Sequence, residues 1–186
     1  MYANLHTAAL LNELEKSGPM EHWLDELRDG THVLVRPISA DDHSRLLRFF
    51  RQLSPLSLRF RFLGAVTPID DRLIDSLLSD SGVGYVALIH SYGELQVIGI
   101  TRYRASVDIH DCCECAVAVA DPWQRKQLGR LLLGHLIDAA RQRGFKTMRS
   151  TDLSTDYPIH RLYKRFGFTS MYLKDGFDRI VHDLEL

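Results

Sequence analysis

The chain of 186 residues carries 23 Lys and Arg against 24 Asp and Glu, which gives a formal net charge of −1 at pH 7. This balance argues against a nucleic-acid or membrane-surface partner, and no apolar run reaches the length of a membrane span. Three cysteines, an odd number, argue against a disulfide scaffold, and the start of the chain lacks the basic and apolar segments of a secretory signal. A cytoplasmic protein is therefore expected.

Residues 1–30 are predicted to form a helical extension, followed by a single domain over residues 31–186. Apolar residues recur at helical spacing over Thr7–Lys16, and a second short helix is expected over Glu21–Arg28. Because a chain of this length can bury one sizeable core, one domain after the extension is favoured.

The first part of the domain is predicted as a strand followed by three short helices. His32–Arg36 alternates as a strand, and Ser39 caps the first helix, which has acidic residues in its first turn. Ser54-Pro55 and Thr67-Pro68 each combine an N-cap residue with a proline at the first helical position. Two further helices are therefore expected to begin there.

The rest of the domain alternates strands with helices and hairpins, which predicts an α/β fold with a mixed sheet. Runs of β-branched and apolar residues mark the strands, and leucines three and four positions apart mark the longer helix. The predicted strands are Gly84–His90, Leu95–Arg104, Cys115–Ala120, Phe145–Leu153, Phe168–Leu173 and Ile180–Leu184, and the predicted helices run from Leu128 to a stop at Gly144 and around Ile159–Arg165.

The central segment joins a buried strand to an amphipathic helix through a basic turn. Cys115–Ala120 is ended by Asp121-Pro122, because proline cannot donate to a sheet ladder. Gln124–Arg130 then lies where the helix begins, and it contains two arginines, one lysine and one glycine. A helix N-terminus offers unpaired N–H groups and a positive dipole end, so this turn suits a pyrophosphate.

Two motifs in this order resemble those of the GNAT acyltransferases, which use acetyl-CoA. Val117-Ala118-Val119 followed by Gln124-Arg125-Lys126-Gln127-Leu128-Gly129 is similar to the family's strand and its Gln/Arg-x-x-Gly-x-Gly/Ala loop. The segment Asp156–Phe168 resembles the later motif Asn-x-x-Ala-x-x-x-Tyr-x-x-x-Gly-Phe. The order of elements over about residues 31–186 is also that of the family. The resemblance implies the GNAT fold, a mixed, mostly antiparallel central sheet flanked by helices.

The resemblance also implies which residues bind the cofactor. The backbones of Val117 and Val119 would pair with the pantetheine arm, and Gln127, which replaces the first glycine of the signature, can still donate its N–H if its φ is negative. Asp156 replaces the asparagine of the later motif and is equally suited to a plain helix cap. The cofactor-binding set that the family implies is Val117, Val119, Gln124, Arg125, Lys126, Gln127, Leu128, Gly129, Arg130 and Asp156.

Segments in the front half more narrowly resemble the GNAT domain of bacterial Pat-type protein lysine acetyltransferases. In such relatives a glutamate at the position of Glu114 is the general base. In the wider family a tyrosine at the position of Tyr163 lies near the CoA sulfur, whereas the Pat-type group is expected to carry a small residue there. The segments that carry this likeness are Leu27-Arg28-Asp29-Gly30-Thr31, Val35-Arg36-Pro37-Ile38, Asp41-Asp42, Phe49-Phe50, Leu53-Ser54-Pro55 and Arg59-Phe60-Arg61-Phe62.

Acyl transfer to an amine requires a neutral nucleophile. An amine of pKa about 10.4 lies roughly three units from neutrality at pH 7, an unfavourable pre-equilibrium of about 4 kcal/mol, so a general base helps. Glu114 is the predicted base, and the alternative is a solvated carboxylate at a strand end. Tyr163 is the predicted acid for the leaving thiolate, and the alternative is an aromatic residue packed on a helix face.

Two other patterns have a structural explanation that is favoured over a functional one. His110-Asp111-Cys112-Cys113-Glu114-Cys115 resembles a metal cluster, but in an extended strand these side chains face opposite sides, and no second cluster follows. We therefore expect strand and turn cysteines without a metal. Arg59-Phe60-Arg61-Phe62 interleaves basic and aromatic residues, yet the near-neutral net charge favours a structural helix or loop over a nucleic-acid contact.

The sequence therefore predicts a cytoplasmic, acetyl-CoA-dependent N-acetyltransferase, a monomer or homodimer, that acts by direct attack of a primary amine in a ternary complex. The acceptor that the Pat-type resemblance implies is a protein lysine. Two alternatives remain open. One is a small-molecule amine acetyltransferase, and the other is a non-catalytic acyl-CoA-binding regulatory module, which the replacements at Gln127 and Asp156 would suit.

Overall fold

The computed structural model describes Leu10, residues 22–174 and residues 176–186. None of the helices described there has the length and apolar composition that crossing a bilayer requires. Two short 3-10 turns cover Ala40–Asp42 and Asp121–Trp123. The strands are β1 Trp23–Glu26, β2 His32–Pro37, β3 Val83–Ser91, β4 Glu94–Ala105, β5 Cys112–Val119, β6 Thr147–Leu153, β7 Thr169–Tyr172 and β8 Arg179–Glu185, and the helices are α1 His43–Gln52, α2 Pro55–Arg61, α3 Asp71–Ser79, α4 Leu128–Gln142 and α5 Tyr157–Phe166.

The eight strands form one open sheet in the order β1-β2-β3-β4-β5-β6-β8-β7. Among the described strands β5 and β6 form the one parallel pair, and the other neighbours are antiparallel. A parallel pair needs a crossover connection, and α4 supplies it between β5 and β6. The predicted fold, a mixed and mostly antiparallel sheet flanked by helices, is confirmed.

Two hydrophobic cores lie on opposite faces of the sheet. Under α4 and α5 the first core includes Leu132 and Tyr163, which are fully buried. The second core lies under α1–α3 and includes Phe50 and Ile74. Leu10 is buried in this second core. It is the described residue of the segment predicted as a helix over residues 7–16, and the rest of that prediction lies outside the described residues.

The N-terminal edge of the sheet differs from the sequence prediction. Trp23–Glu26 forms β1 and pairs antiparallel with β2, so the helix predicted over Glu21–Arg28 is wrong in its described part. Trp23 stacks on the ring of His135 in α4, with ring centroids 3.9 Å apart, and Asp25 contacts His135 Nε2 at 2.9 Å. The two-residue alternation of a strand brings both side chains to α4, which helical spacing would not do. The division of the chain at residue 30 stays a prediction, with β1 entering the sheet from the first part.

The two predicted proline helix starts have different outcomes. Ser54-Pro55 is confirmed, because Ser54 Oγ accepts a hydrogen bond from Ser57 N at 3.2 Å and the proline is the first residue of α2. Thr67-Pro68 is not a helix start, because α3 begins later, at Asp71, with the side chain of Asp70 as its cap. Aspartate is a better N-cap than threonine, and the second acid adds a favourable charge at the positive end of the helix dipole.

A buried ion pair holds α1 against β2. Arg36 donates from Nη1 and Nη2 to the two carboxylate oxygens of Asp42, at 2.7 and 2.8 Å, and Ser39 N donates to Asp42 Oδ2 at 3.0 Å. Burial tends to raise the pKa of Asp42, but the hydrogen bonds and charge of Arg36 outweigh it and lower that pKa below its usual range. Both side chains are shielded from solvent, so neither charge could be hydrated if its partner were lost.

We expect Asp42→Ala to lower the free energy of unfolding by about 3–5 kcal/mol, because it removes the carboxylate that pairs with the buried guanidinium of Arg36. Asp41→Ala removes an exposed carboxylate one residue earlier and should cost less than about 1 kcal/mol. Folding lowers the pKa of Asp42, so its contribution is fully present above about pH 4 and is lost as the pH falls through the lower folded value. Urea unfolding at neutral and acidic pH measures both effects, and equal losses in the two variants would contradict the assignment.

Candidate active site

Strands β5 and β6 separate after three residue pairs. The register joins Cys112–Glu114 to Thr147–Arg149, and beyond it β5 pairs with β4 alone. Ala120 N donates to a carbonyl oxygen of β4 at 2.9 Å, so the backbone groups of even-numbered residues of β5 face β4. The N–H and C=O groups of the odd-numbered residues, including Val117 and Val119, consequently face the gap between β5 and β6.

The gap exposes the backbone of β5 rather than its side chains. The side chains of Val117 and Val119 pack against the core under α4. Gln124 Nε2 donates to Val119 O at 3.1 Å and occupies one end of the exposed edge. A free strand edge of this kind can accept an extended chain as an added strand.

The loop between β5 and α4 closes one end of the gap. Arg125 and Gln127 have left-handed backbones, with φ of 61° and 75°, and α4 begins at Leu128. Within the described part of the chain, the backbone N–H groups of residues 125–129 have no acceptor. Left-handed residues in a turn direct successive N–H groups toward one side, and the helix N-terminus adds its positive dipole. Together they form a concavity suited to an anion.

Gln127 does not have the negative φ that was set as the condition for donating its N–H to the cofactor. It has φ 75° and ψ 0°, a conformation that costs a residue with a side chain about 1–2 kcal/mol. This explains why the related motif has glycine at this position. With its amide oriented to satisfy both groups, the side-chain oxygen of Gln127 accepts from Arg28 Nη2 at 2.9 Å. The β1–β2 turn therefore supports the loop at its strained residue.

The three basic residues of the loop have different surroundings. Lys126 Nζ pairs with Asp29 Oδ2 at 2.9 Å and lies 4.5 Å from the ring centroid of Trp123. The hydrogen bond from Lys126 is the main reason that the pKa of Asp29 falls to about 2. Arg125 and Arg130 are exposed and form no ion pair with the described residues. Lys126 thus braces the β1–β2 turn, while the two arginines remain open to an anion.

Helix α2 is tied to the same loop. Asp121 accepts hydrogen bonds from Ser54 N, Ser54 Oγ and Ser57 Oγ at 2.9, 2.7 and 2.8 Å. Burial tends to raise the pKa of Asp121, but these hydrogen bonds lower it overall. Gln124 Nε2 also donates to Ser57 Oγ at 3.2 Å. These bonds hold α2 over the gap, in contact with β5 and β6. The Arg59-Phe60-Arg61-Phe62 run forms the end of this helix, and its exclusion as a nucleic-acid contact stays a prediction.

The first turn of α4 lies close to the gap. Leu128 is buried in the core under α4, so its backbone rather than its side chain is presented to the loop. A Cβ placed on Gly129 would lie 3.4 Å from Leu162 Cδ2 and 3.8 Å from Val119 Cγ2, which is close contact without overlap. The packing of α4 on β5 and α5 therefore does not by itself require a glycine at this position.

Glu114 and Tyr163 lie on opposite faces of β5. Glu114 Oε1 accepts from Ser106 Oγ at 3.0 Å, and Oε2 accepts from Arg104 Nη2 at 3.2 Å. Its side chain is 35% exposed. Because side chains alternate along a strand, Glu114 points to the same face as Ala118, which packs in the core under α1–α3. Tyr163 belongs to the core on the other face.

Tyr163 ends a hydrogen-bonded chain of polar groups that the motifs do not contain. Its OH donates to Ser150 Oγ at 2.9 Å, and Ser150 Oγ donates to Asp152 Oδ2 at 2.7 Å. Burial raises the pKa of Tyr163 well above its usual value, and burial also raises the pKa of Asp152 to about 7. The sequence contains one indication that these polar side chains lie near the core: Ser150 and Asp152 share a strand face with the apolar Met148.

Asp156 is the N-cap of α5. Its Oδ1 accepts a hydrogen bond from Ile159 N at 3.2 Å, which is the capping role considered as the alternative. Burial raises the pKa of Asp156 and outweighs the effect of this hydrogen bond. A contact between Asp156 and the cofactor stays a prediction.

The three cysteines are buried strand residues. Cys112, Cys113 and Cys115 are free thiols, and burial raises the pKa of each, to about 12 for Cys113. Cys113 and Cys115 face the core under α4, as alternation along a strand requires. Within the described residues, no group of three or more His, Cys, Asp or Glu side chains is arranged to hold a metal ion.

The open sheet, with β5 and β6 diverging and a loop suited to an anion at the end of the gap, can be compared with known proteins. The model of the acetyltransferase (GNAT) family matches residues 50–168. The acetyltransferase PA5475 of Pseudomonas aeruginosa is 38% identical over an alignment of 169 residues, and the match covers 89% of this chain and 90% of that protein. The chain belongs to the GNAT family of N-acetyltransferases and is an acyltransferase, so the resemblance of its motifs to that family is confirmed.

Solved structures share the fold at lower sequence identity. The GNAT domain of S. lividans PAT matches with a TM-score of 0.78 and 24% identity over 89% of this chain and 97% of that domain. The ribosomal-protein-S18-alanine N-acetyltransferase from Escherichia coli matches with a TM-score of 0.62 and 18% identity over 82% of this chain and 93% of that enzyme. At these identities the likeness establishes a common fold.

Proposed function

We propose that this chain transfers an acetyl group from acetyl-CoA to a primary amine by direct attack in a ternary complex. Its family normally uses acetyl-CoA as co-substrate. The observation that supports the proposal is the pair of backbone surfaces described above, which no other strand covers; Gln124 occupies only the Val119 carbonyl at one end. The edge of Val117 and Val119 suits an extended pantetheine arm, and the N–H groups of residues 125–129 suit the pyrophosphate.

The proposed roles of the two catalytic residues follow from their opposite faces. Glu114 lies on the face covered by α1–α3 and is partly exposed, so an acceptor that enters from this face would meet its carboxylate. There it would take a proton from the amine, directly or through a water. Tyr163 lies on the other face, and because its pKa is raised its phenol is protonated at neutral pH and can donate to the departing sulfur.

A protein lysine is the acceptor we propose. The support is the set of front-half segments similar to Pat-type enzymes, which includes Asp41-Asp42 and the start of α2 at Ser54-Pro55. Helices α1–α3 would form one wall of the acceptor cleft. A lysine side chain on a protein surface requires an open approach, which the exposed side of Glu114 supplies.

Calorimetry with acetyl-CoA, combined with a thiol-release assay over small amines and protein lysines, tests this function. We expect binding and thiol release with a protein acceptor. Release with small amines alone, without labelled lysine in a lysate, would favour a small-molecule acetyltransferase. Binding without release on any acceptor would favour a non-catalytic acyl-CoA sensor, and the absence of binding would refute all three.

We expect Arg125→Glu to weaken acetyl-CoA binding by about 10- to 100-fold, the range of one or two charge-assisted hydrogen bonds to phosphate. The side chain is exposed, so the temperature of unfolding should remain unchanged. Arg72→Glu makes the same charge change at an exposed position of α3 and should bind acetyl-CoA normally. Equal affinity of both variants would show that the loop only connects β5 to α4.

Glu114→Gln keeps the shape of the side chain but cannot accept a proton, so kcat at neutral pH should fall on the order of 10²-fold. Acetyl-CoA affinity should barely change. Raising the pH should restore part of the activity, because more of the amine is then neutral. Glu185→Gln, an exposed change at the end of β8, is the matched control. A fully active Glu114→Gln variant would remove this residue as the base.

A further inference from the structure

A chain of three polar groups lies where β6 has left β5. Ser150 and Asp152 lie on one face of β6, beyond its last residue paired with β5, Arg149. Tyr163 OH donates to Ser150 Oγ at 2.9 Å, and Ser150 Oγ donates to Asp152 Oδ2 at 2.7 Å. Tyr163 and Ser150 are only 1% and 3% exposed, whereas Asp152 is partly open to solvent. These hydrogen bonds therefore connect a buried phenol to a carboxyl group that is partly exposed to solvent.

We propose that these three side chains form a proton relay. In it, Asp152 returns a proton to Tyr163 through Ser150 when the phenol protonates the departing CoA thiolate. The inference rests on the proposed acetyl transfer and adds the source of the proton on the sulfur side. In this scheme Tyr163 is the catalytic acid, and Ser150 and Asp152 act through it.

Each step of the relay conserves protons and electron pairs. The amine nitrogen forms the new C–N bond and loses one proton to Glu114, while the C–S bond breaks and its electron pair stays on sulfur. For this transfer the two hydroxyl groups turn from the orientation given above, so that Tyr163 points its proton at the sulfur, Ser150 Oγ donates to the phenolic oxygen and protonated Asp152 donates to Ser150 Oγ across the same separations of 2.9 and 2.7 Å. The thiolate then takes the phenolic proton of Tyr163, the phenolate takes the hydroxyl proton of Ser150, and Ser150 takes the proton of Asp152. Glu114 then releases a proton to solvent, and Asp152, which is partly exposed, recovers one.

The phenol needs such a supply because its anion is disfavoured where it lies. Burial, and next the neighbouring charge of Asp152, raises the pKa of Tyr163 well above its usual value. A CoA thiol has an ordinary pKa near 8.5, so transfer from an isolated phenol to the thiolate would run uphill. Simultaneous replacement of the phenolic proton by Ser150 removes that penalty, because no buried phenolate is left beside a carboxylate.

The surroundings of Asp152 let it hold a proton at neutral pH. Burial is the largest cause of its pKa of about 7, and the carboxylate of Asp156 at the start of α5 acts in the same direction. The hydrogen bond from Ser150 and the charge of Arg61 on α2 oppose them. Burial lowers the pKa of Arg61 to about 10, so it is still a cation at neutral pH.

Two other titratable side chains face the relay from the strands packed around it. Cys115 of β5 has a pKa raised by burial and is a neutral thiol there. His182 of β8 lies opposite Ser150 in the sheet, with its ring centroid 5.0 Å from that of Tyr163. Burial lowers the pKa of His182 to about 4, so it is neutral as well. Asp152 is thus the relay member that titrates near neutrality.

The test compares Asp152→Asn, Ser150→Ala and the double variant, with Asp138→Asn on the exposed side of α4 as control. Each relay variant should lower kcat/KM for the amine by about tenfold at pH 7, a modest loss for proton-transfer catalysis because a thiolate is a fair leaving group. The double variant should lose no more than either single variant, because one broken link already stops the relay. The control should match the unmodified chain.

The pH dependence separates a relay from a structural contribution. Asp152 can donate only while protonated, so the advantage of the unmodified chain over Asp152→Asn should shrink as the pH rises above about 7. Infrared spectra should show a protonated carboxyl band that titrates near this pH and is absent in Asp152→Asn. A rate ratio independent of pH, or losses that multiply in the double variant, would overturn the relay.

Failure of the relay and failure of the proposed function give different results. Thiol release by the unmodified chain establishes the activity before any variant is compared. Thermal unfolding of each variant shows whether it is folded, and Ser150→Ala removes a single hydroxyl oxygen from a packed site. Normal activity in folded Asp152→Asn would refute the relay while leaving the acetyltransferase in place.

Discussion

Backbone groups must be paired or solvated, and this requirement makes the divergence of β5 and β6 the feature on which the site depends. After three paired residues the N–H and C=O groups of Val117 and Val119 face a gap that β6 does not close. Helix α4 maintains the arrangement by packing on β4 at Gly99, where a Cβ would come within 2.8 Å of Leu132 Cδ1. A larger residue there would displace the side chains of Leu132 and Leu128, through which α4 packs on β4.

The loop at the end of the gap is held by elements from distant parts of the chain. Asp121 accepts hydrogen bonds from Ser54 at the N-terminus of α2, which join the helix that covers the gap to the loop that ends it. Lys126 forms an ion pair with Asp29 of the β1–β2 turn, and Gln127 accepts a hydrogen bond from Arg28 of the same turn. None of these contacts belongs to the family motif. The motif supplies the backbone path, and the surrounding chain supplies the contacts that stabilise it.

Local periodicity predicted the elements whose buried face is continuous, such as β4 and α4, and their order along the chain. It failed for Trp23–Glu26, because a four-residue edge strand has little pattern of its own and is fixed by the ring of His135 in a distant helix. The motif positions of Val117 and Val119 could be found from residue types alone. Alternation along β6 places Asp152 on the face of Met148, but its raised pKa could not be predicted, because that pKa arises from burial and from the charges of Asp156 and Arg61, which meet only in the folded chain.

Because the β1–β2 turn contacts the loop, docking of this hairpin and ligand binding at the loop are coupled. Arg28 and Asp29 contact Gln127 and Lys126, so docking of the hairpin stabilises the loop conformation to which the proposed function assigns the pyrophosphate. The observed affinity is then the intrinsic affinity multiplied by the fraction of the chain in that conformation. By reciprocity a bound ligand holds the hairpin down, and backbone amides of β1, far from the sulfur chemistry, become slower to exchange with solvent when the loop is occupied.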